Sequence, residues 1–562
     1  VKGCQVIVFM PYNNEENRGV KMNNTVFSFE IPKNEPIYGY ASGSLERRAV
    51  ESALMEMSAS IIDIPMVING REVRSGHTYD VTAPHEHSKV LARCHQAGPE
   101  HVKAAVLASQ NARKDWLELS WVERASVTLK AAELLSEKYR YLMNAATMLG
   151  QSKNVYQSEI DAVCETIDFL RYNAYFASKI YADQPRSEFT QLNRLEYRSL
   201  EGFVFCISPF NFTSIASNLN MAVALMGNTT LWKPASTAVL SNYILMNVFK
   251  EAGLPDGVIN FLPGLGRLIG EIALSSPDMA GIHFTGSNAT FNGLWRQVSA
   301  NLEIYRSYPR LVGETGGKDF VMVHPSADPQ SVATALIRGA FEYQGQKCSA
   351  ASRAYIPTSL WPSIKKGLQE MVAEIKMGSV LDFGNFVNAV IDKAAFERIM
   401  GYLNRSRNNS QNTFVCGGSG VSKYGYFIEP TIIETKDPKS ETMVEEIFGP
   451  VLTVYIYPEN EFTETLRLCD QTSPYALTGA VFTQDRYAFV EACRELRYAA
   501  GNFYLNDKPT GAMVGLQPFG GARGSGTNDK AGGYLNLLRW VSPRTIKETF
   551  VPATHFSYSF MS

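Results

Sequence analysis

Cys348 sits in the run Phe341-Glu342-Tyr343-Gln344-Gly345-Gln346-Lys347-Cys348-Ser349. Apolar spacing predicts a helix over 327–343 and a strand over 352–356, with a Gln-Gly break between them. A substrate can reach a thiol at such a break, whereas a thiol inside a packed element is a small buried hydrophobe. Upstream lies Gly313-Glu314-Thr315-Gly316-Gly317-Lys318, a carboxylate followed by glycines that permit close backbone approach. Further back, Ser208-Pro209-Phe210-Asn211-Phe212 places an amide side chain just past a predicted strand. A nucleophile, a carboxylate that can activate water and an oxyanion donor are what covalent aldehyde oxidation through a thioester requires. Each also has a plainer reading. Glu314 could serve a helix dipole or an ion pair, and Asn211 after Pro-Phe could bond its own turn.

The elements that must position these groups follow from periodicity. Residues 100–110, 121–149 and 157–182 read as helices, the last with Ile160, Val163, Ile167, Leu170 and Ala174 on one apolar stripe. From Phe203 the pattern changes. Strands are expected over 203–208, 229–233, 258–262, 281–284 and 310–314, separated by helices and short Gly/Pro/Asn turns. That alternation predicts an α/β fold with a parallel sheet covered on both faces. Ligands of such sheets bind beyond the carboxyl ends of the strands. Asn211, Lys233-Pro234, Pro263-Gly264, Thr285-Gly286-Ser287 and Glu314 all fall there. A second alternation runs from about 320 to 506 and carries Cys348, which places the site in a cleft between two α/β units.

Six motifs in order carry a resemblance: the three above together with Trp232-Lys233-Pro234, Phe284-Thr285-Gly286-Ser287 and Glu446-Ile447-Phe448-Gly449-Pro450. Over about 64–548 the chain resembles the aldehyde dehydrogenase superfamily. Within it, Ser208–Phe212, Gln344–Ser349, Asn506-Asp507-Lys508 and Gln517-Pro518-Phe519-Gly520-Gly521-Ala522-Arg523 resemble the dehydrogenases of L-glutamate γ-semialdehyde in proline catabolism. The resemblance implies a Rossmann-type NAD-binding domain over 41–185 and 201–316 and a second α/β catalytic domain over 317–530. It also implies a small β oligomerisation arm from 186–200 and 531–562. Residues 1–40, polar and turn-rich, are expected to form a loosely packed extension.

The resemblance also implies roles. Cys348 is the nucleophile, Glu314 the base for thioester hydrolysis, and Asn211 with the Cys348 N–H the oxyanion site. Ser208, Lys233, Gly286, Ser287, Glu446 and Phe448 would hold NAD. Gly286-Ser287-Asn288-Ala289-Thr290-Phe291 lacks the later glycine of a dinucleotide fingerprint, so Ser287 is matched to the pyrophosphate through the helix start alone. Many relatives carry glutamate three residues after the lysine; here Ser236 stands there, and it neither repels a 2′-phosphate nor strongly recognises a hydroxyl. Ser349, Gly511 and Ala512 would bind the substrate α-carboxylate, and Phe212 and Phe519 would line its aliphatic part. Glu165 is a candidate for its ammonium, with an exposed helical glutamate as the alternative.

Bulk properties narrow the classes. A chain of 562 residues exceeds one ordinary core, and a net charge of −2 leaves no basic stripe for a nucleic acid. No apolar run approaches the ~18 residues of a membrane helix. The eight cysteines are unclustered, which argues for reduced thiols and against a metal centre. Val1 opens the chain, so a start further upstream is expected. Residues 1–35 are not presequence-like, and a mitochondrial matrix location is implied by the resemblance alone. The partners expected are a small-molecule substrate and further copies of the chain, as a dimer or a dimer-based oligomer. Two alternatives stay open: a dehydrogenase for another aldehyde, and a Cys-dependent acyl hydrolase, which would want a histidine partner although no histidine lies within twenty residues of Cys348.

Overall fold

The computed structural model describes residues 28–562. The expectations for 1–27, including the first part of the extension, lie outside the described residues. Five parallel strands form the centre of the first sheet, in the spatial order Arg310–Glu314, Met279–Thr285, Phe203–Ile207, Thr229–Lys233, Ile259–Phe261. Met66–Ile68 and Arg71–Val73 extend it antiparallel at one edge. Chain order reverses between Phe203–Ile207 and Met279–Thr285. Two connections there leave in opposite directions, which opens a crevice at the carboxyl ends of the strands. Four of these strands are buried along almost their whole length, so they read as apolar runs rather than alternations.

The second sheet is also seven-stranded: Asn412–Cys416, Thr431–Thr435, Val451–Tyr457, Ala351–Pro357, Asp319–Val323, Thr478–Phe482, Asn502–Leu505. All its pairings are parallel except the first. The chain passes from one sheet to the other through Thr315–Lys318, so Glu314 ends a strand of the first while Asp319 begins one of the second. Gln191–Arg198 pairs antiparallel with Ser542–Thr549 over eight residues as a separate two-stranded ribbon.

Three expectations need correction. The helix read over 121–149 is two, Trp121–Glu137 and Arg140–Gln151. The helix read over 157–182 is interrupted: Val155–Ser158 is α-helical, Glu159–Cys164 makes a π-turn, and Glu165–Ala182 resumes. Single π-turns are wider than α-turns and recur at functional sites. Apolar spacing did not reveal this one because Val163, Ile167, Leu170 and Ala174 remain buried across it. Residues 28–40, finally, are not loose throughout. Glu35 and Tyr40 are buried, and both reach Arg140 or its partner Glu159.

That cluster explains how the segment is held. Arg140 donates to Glu35 at 2.6 Å, to the Pro36 carbonyl at 2.6 Å and to Glu159. The Tyr40 hydroxyl and the Asn144 amide donate to the other Glu159 oxygen, at 2.6 and 2.8 Å. Two carboxylates around one guanidinium leave few lone pairs unmatched, which a buried ion pair needs in order not to cost stability. Arg140→Ala would leave buried Glu159 without its paired cation, while Glu35 keeps Arg171, so a loss of about 3–5 kcal/mol is expected. It should appear as a lower thermal unfolding midpoint; a midpoint equal to wild type would contradict this account.

Candidate active site

Cys348 is delivered by an unusual turn. Helix Pro329–Phe341 ends and three consecutive residues enter the left-handed region: Tyr343 (φ 50°), Gln344 (φ 55°) and Gly345 (φ 65°). Glycine is required at the third, because a Cβ there would lie 2.2 Å from the Gly449 carbonyl oxygen. For the other two the strain is roughly 1–2 kcal/mol per residue. Side-chain bonds offset it. The Gln344 amide donates to the carbonyls of Ser152 (3.0 Å) and Ala389 (2.8 Å) and accepts from the Asn388 N–H (3.0 Å). Gln346 accepts from the Ile391 N–H at 2.9 Å, and the Tyr343 hydroxyl donates to the Gln151 carbonyl at 3.0 Å. The loop that follows is thereby fixed against two other segments.

Asn211 is buried, and its amide donates to the Gln346 carbonyl at 3.0 Å. That bond crosses to the Cys348 loop rather than closing on its own turn, so the turn reading of Asn211 does not describe it. A side-chain amide has a second N–H. Among the described residues the Cys348 N–H has no backbone partner, and Asn211 is tied to the residue two before the thiol.

Glu314 shares a pocket with Cys348, also lined by Phe212, Ser349, Glu165 and Phe519. Burial raises the Glu314 carboxyl to about 8, with Lys530 and Asp529 as opposing minor influences. Burial likewise pushes the Cys348 thiol well up, and the Glu314 charge adds to this. Burial thus shifts both groups toward their neutral forms. Of the glycines after Glu314, Gly317 meets backbone and is sterically required, whereas Gly316 meets the end of the Glu446 side chain. A Cβ at Gly316 would lie 2.1 Å from the Glu446 carboxylate, and one at Gly317 2.2 Å from the Cys348 carbonyl oxygen.

The pocket holds the proposed substrate groups together. Ser349 donates its hydroxyl to Thr510 at 2.9 Å. The Gly511 and Ala512 N–H groups donate to no group among the described residues. Glu165 is half-buried, not exposed; it accepts from Ser214 at 2.8 Å, and burial raises it to about 8. Sequence reasoning missed a charged cluster next to it. Buried Lys153 pairs with Asp161 at 2.7 Å, Lys347 stands 3.5 Å from the same carboxylate, and both ammonium groups lie over the Phe212 ring. Lys153 and Asp161 are eight apart in the sequence, Asp161 lies in the π-turn, and Lys347 is remote from both. His283 also lines the pocket, a histidine distant from Cys348 in sequence. Its Nδ1 bonds the Leu219 carbonyl at 3.0 Å, its ring packs on Trp540, and burial lowers it to about 3. No hydrogen bond joins it to Cys348 among the described residues, so the acyl-hydrolase alternative lacks its base.

The cofactor candidates line the crevice of the first sheet. Lys233 ends its strand half-buried with no hydrogen-bond or ion-pair partner among the described residues, and burial lowers its pKa. Its ammonium comes within 4.0 Å of where a Cβ on Gly266 would lie, at the start of helix Gly266–Leu274. Ser287 is exposed and caps helix Asn288–Ala300 by accepting from the Thr290 N–H at 3.2 Å. Glu446 accepts from the Gly317 N–H at 2.9 Å and is raised to about 7 by burial. Phe448, at φ 56°, packs edge-on against Phe210. Ser208 is the exception: it is 4% exposed and its hydroxyl accepts from the Trp232 indole, so it shapes the strand end. An unpaired cation at a strand end, a helix start and a carboxylate are groups that suit a dinucleotide.

Gly317→Ala tests the geometry directly. The added methyl must displace the Cys348 backbone, and a misplacement near 1 Å costs roughly 10² in rate. Turnover should fall by about that factor while circular dichroism stays unchanged; full activity would show that the loop position is not critical.

Comparison with known proteins agrees with this geometry. Residues 72–546 match the model of the aldehyde dehydrogenase family. The mitochondrial delta-1-pyrroline-5-carboxylate dehydrogenase of Dictyostelium discoideum is 53% identical over 533 residues, covering 94% of this chain and 96% of that protein. Its counterpart in Homo sapiens is 49% identical over 529 residues, covering 94% of each. The crystal structure of the delta-pyrroline-5-carboxylate dehydrogenase of Mycobacterium tuberculosis bound with NAD superposes with a TM-score of 0.93 at 50% identity, over 96% of this chain and all of that one. With motifs, fold and pocket in accord, the chain belongs to the aldehyde dehydrogenase family.

Proposed function

We propose that this protein oxidises L-glutamate γ-semialdehyde, the open form of Δ1-pyrroline-5-carboxylate, to L-glutamate in proline catabolism, with NAD as the oxidant. One observation carries the reading. The pocket that contains Cys348 and Glu314 also contains the free N–H groups of Gly511 and Ala512, the Ser349–Thr510 hydroxyl pair and Glu165. Those groups match an amino acid's carboxylate and ammonium, with Phe212 and Phe519 along the chain between. The names of the relatives in Dictyostelium and Homo sapiens support the same substrate.

The Cys348 thiol gives up its proton to water, the thiolate attacks the aldehyde carbon, and the carbonyl electron pair moves to oxygen. The Cys348 N–H and the second N–H of Asn211 stabilise that oxyanion. NAD would supply the hydride acceptor there, and with the hydride gone from that carbon Cys348 carries the acyl group as a thioester. Lys233, Gly286, Ser287, Glu446 and Phe448 would hold the dinucleotide, with Ser208 shaping the strand end beside it. Glu314 then takes a proton from water, the hydroxide attacks the thioester carbon, the C–S bond breaks and L-glutamate leaves.

In this reading 41–185 with 201–316 form the cofactor domain and 317–530 the catalytic domain. The ribbon of Gln191–Arg198 and Ser542–Thr549 is the arm through which copies assemble as dimers or dimer-based oligomers; support comes from its two open edges. A mitochondrial location follows from the relatives' names, and the matrix is the compartment proposed.

Glu314→Gln should separate the half-reactions. The stopped-flow burst of NADH should survive while steady turnover drops roughly 10²–10⁴-fold. In wild type, steady turnover should climb as pH passes about 8, where the buried carboxyl loses its proton, and the glutamine variant should lack that limb. Equal loss of burst and steady rate would assign Glu314 to an earlier step.

The pocket also predicts selectivity. An aldehyde without an α-carboxylate leaves two or three polar groups unpaired, at about 1–3 kcal/mol each before water fills the gap. Glutamate semialdehyde should exceed pentanal roughly 10²–10⁴-fold in kcat/KM, and Ser349→Ala should narrow that gap by slowing the true substrate. Comparable rates on both aldehydes would overturn the substrate assignment and leave the family standing.

A further inference from the structure

Two walls of the pocket come from segments far apart in the chain: helix Glu165–Ala182, and the loop from Thr510 to Phe519. A third segment, Pro32–Glu35, is bonded to both. The Asn34 amide donates to the Asp168 carboxylate and to the Val514 carbonyl, each at 2.8 Å. Its oxygen lies 3.2 Å from the Tyr172 hydroxyl, which is also 2.8 Å from the Pro32 carbonyl. The neighbouring Glu35 N–H donates to the second Asp168 oxygen at 2.7 Å. Both N–H groups of the Asn34 side chain are therefore engaged, and they go to different walls.

The segment cannot slide. The Glu35 carboxylate is held by Arg140 and Arg171, each at 2.6 Å, and by Ser136 at 2.7 Å. Nor is there slack beneath it. Phe169, Tyr172 and Val514 form a small apolar cluster with Ala531, and a Cβ on Gly515 would lie 2.1 Å from the Tyr172 ring. Phe169, Val514 and Ala531 all line the pocket. Val514 follows Gly511 and Ala512 by three and two residues, so the height of its carbonyl sets the placement of their N–H groups.

We propose that Asn34 is a positioning residue for substrate specificity: by bridging Asp168 and the Val514 carbonyl it holds the carboxylate-binding loop in register with Glu165. The inference rests on the substrate reading above. Asn34 touches neither Cys348 nor the cofactor crevice, so its loss should fall on the aldehyde that uses the loop and spare one that does not.

The test uses the full chain with Asn34→Ala, and Tyr172→Phe as a milder variant that removes one hydroxyl. Rates are measured with glutamate semialdehyde and with pentanal, alongside KM for NAD. For Asn34→Ala, KM for glutamate semialdehyde should rise about two- to thirtyfold, the range for losing one buried hydrogen bond or a coupling of similar size. Activity on pentanal and KM for NAD should stay within about twofold, and Tyr172→Phe should shift the same KM by less. Equal losses on both aldehydes, or an unchanged KM with only a lower unfolding midpoint, would reduce the segment to a stabilising strap and overturn the proposal. Failure of the substrate reading would show separately, as wild-type protein that does not prefer glutamate semialdehyde to pentanal.

Discussion

The left-handed turn of Tyr343, Gln344 and Gly345 is the constraint on which the site depends. Three residues in that region cannot belong to any helix or strand, so the chain must stop and re-aim there. Two of them carry side chains and are strained. They persist because Gln344 satisfies two foreign carbonyls and one foreign N–H, and because Gly345 lies against Gly449. Strain of this kind survives only where the surroundings over-determine it. Here the surroundings are the helix Arg140–Gln151, the 388–391 segment and the loop that carries Glu446. The thiol's position is thereby coupled to both sheets.

The same economy of space governs the crossing between the sheets. Gly317 brings the Cys348 backbone closer than any side chain would allow, and Gly316 lies against the end of the Glu446 side chain. A carboxylate of the nicotinamide end and the nucleophile loop thus pack on one four-residue link. The cost is desolvation: Glu314, Glu446 and Cys348 are all shifted toward their neutral forms by burial. For a base that must take a proton from water, a raised pKa is useful, since proton transfer is most effective when the pKa lies near the working pH.

Electrostatics at the substrate end is arranged differently. Lys153 and Lys347 surround Asp161, and aromatic faces of Phe212 and Tyr343 cover the ammonium groups. Cations over aromatic rings in a desolvated place gain more than they would in water. The π-turn Glu159–Cys164 carries Asp161 to this cluster while Glu159 faces Arg140 on the other side. One irregular turn therefore ties the segment at 35–40 to the pocket.

Much of this was legible in the residues. The order of short motifs identified the family, the alternation from Phe203 to Glu314 set the winding of the first sheet, and strand ends placed Lys233, Ser287 and Glu314 on one edge, because side-chain period and turn residues are local properties. Cys348, Glu314 and Asn211 were named from their flanking residues; the fold puts Cys348 and Glu314 on one pocket and bonds Asn211 to the Gln346 carbonyl. What the sequence could not contain is distance between remote segments. Lys153 with Asp161 and Lys347, His283 on the pocket wall with its bond turned toward Leu219, and Asn34 bridging Asp168 to Val514 are ordinary polar residues until folding sets them side by side. The π-turn was invisible because its apolar stripe stays buried with or without it. Local pattern determined which elements form and which residues carry chemistry. Only tertiary packing, through burial and the matching of lone polar groups across hundreds of residues, decided which of them face one another and in what state of protonation.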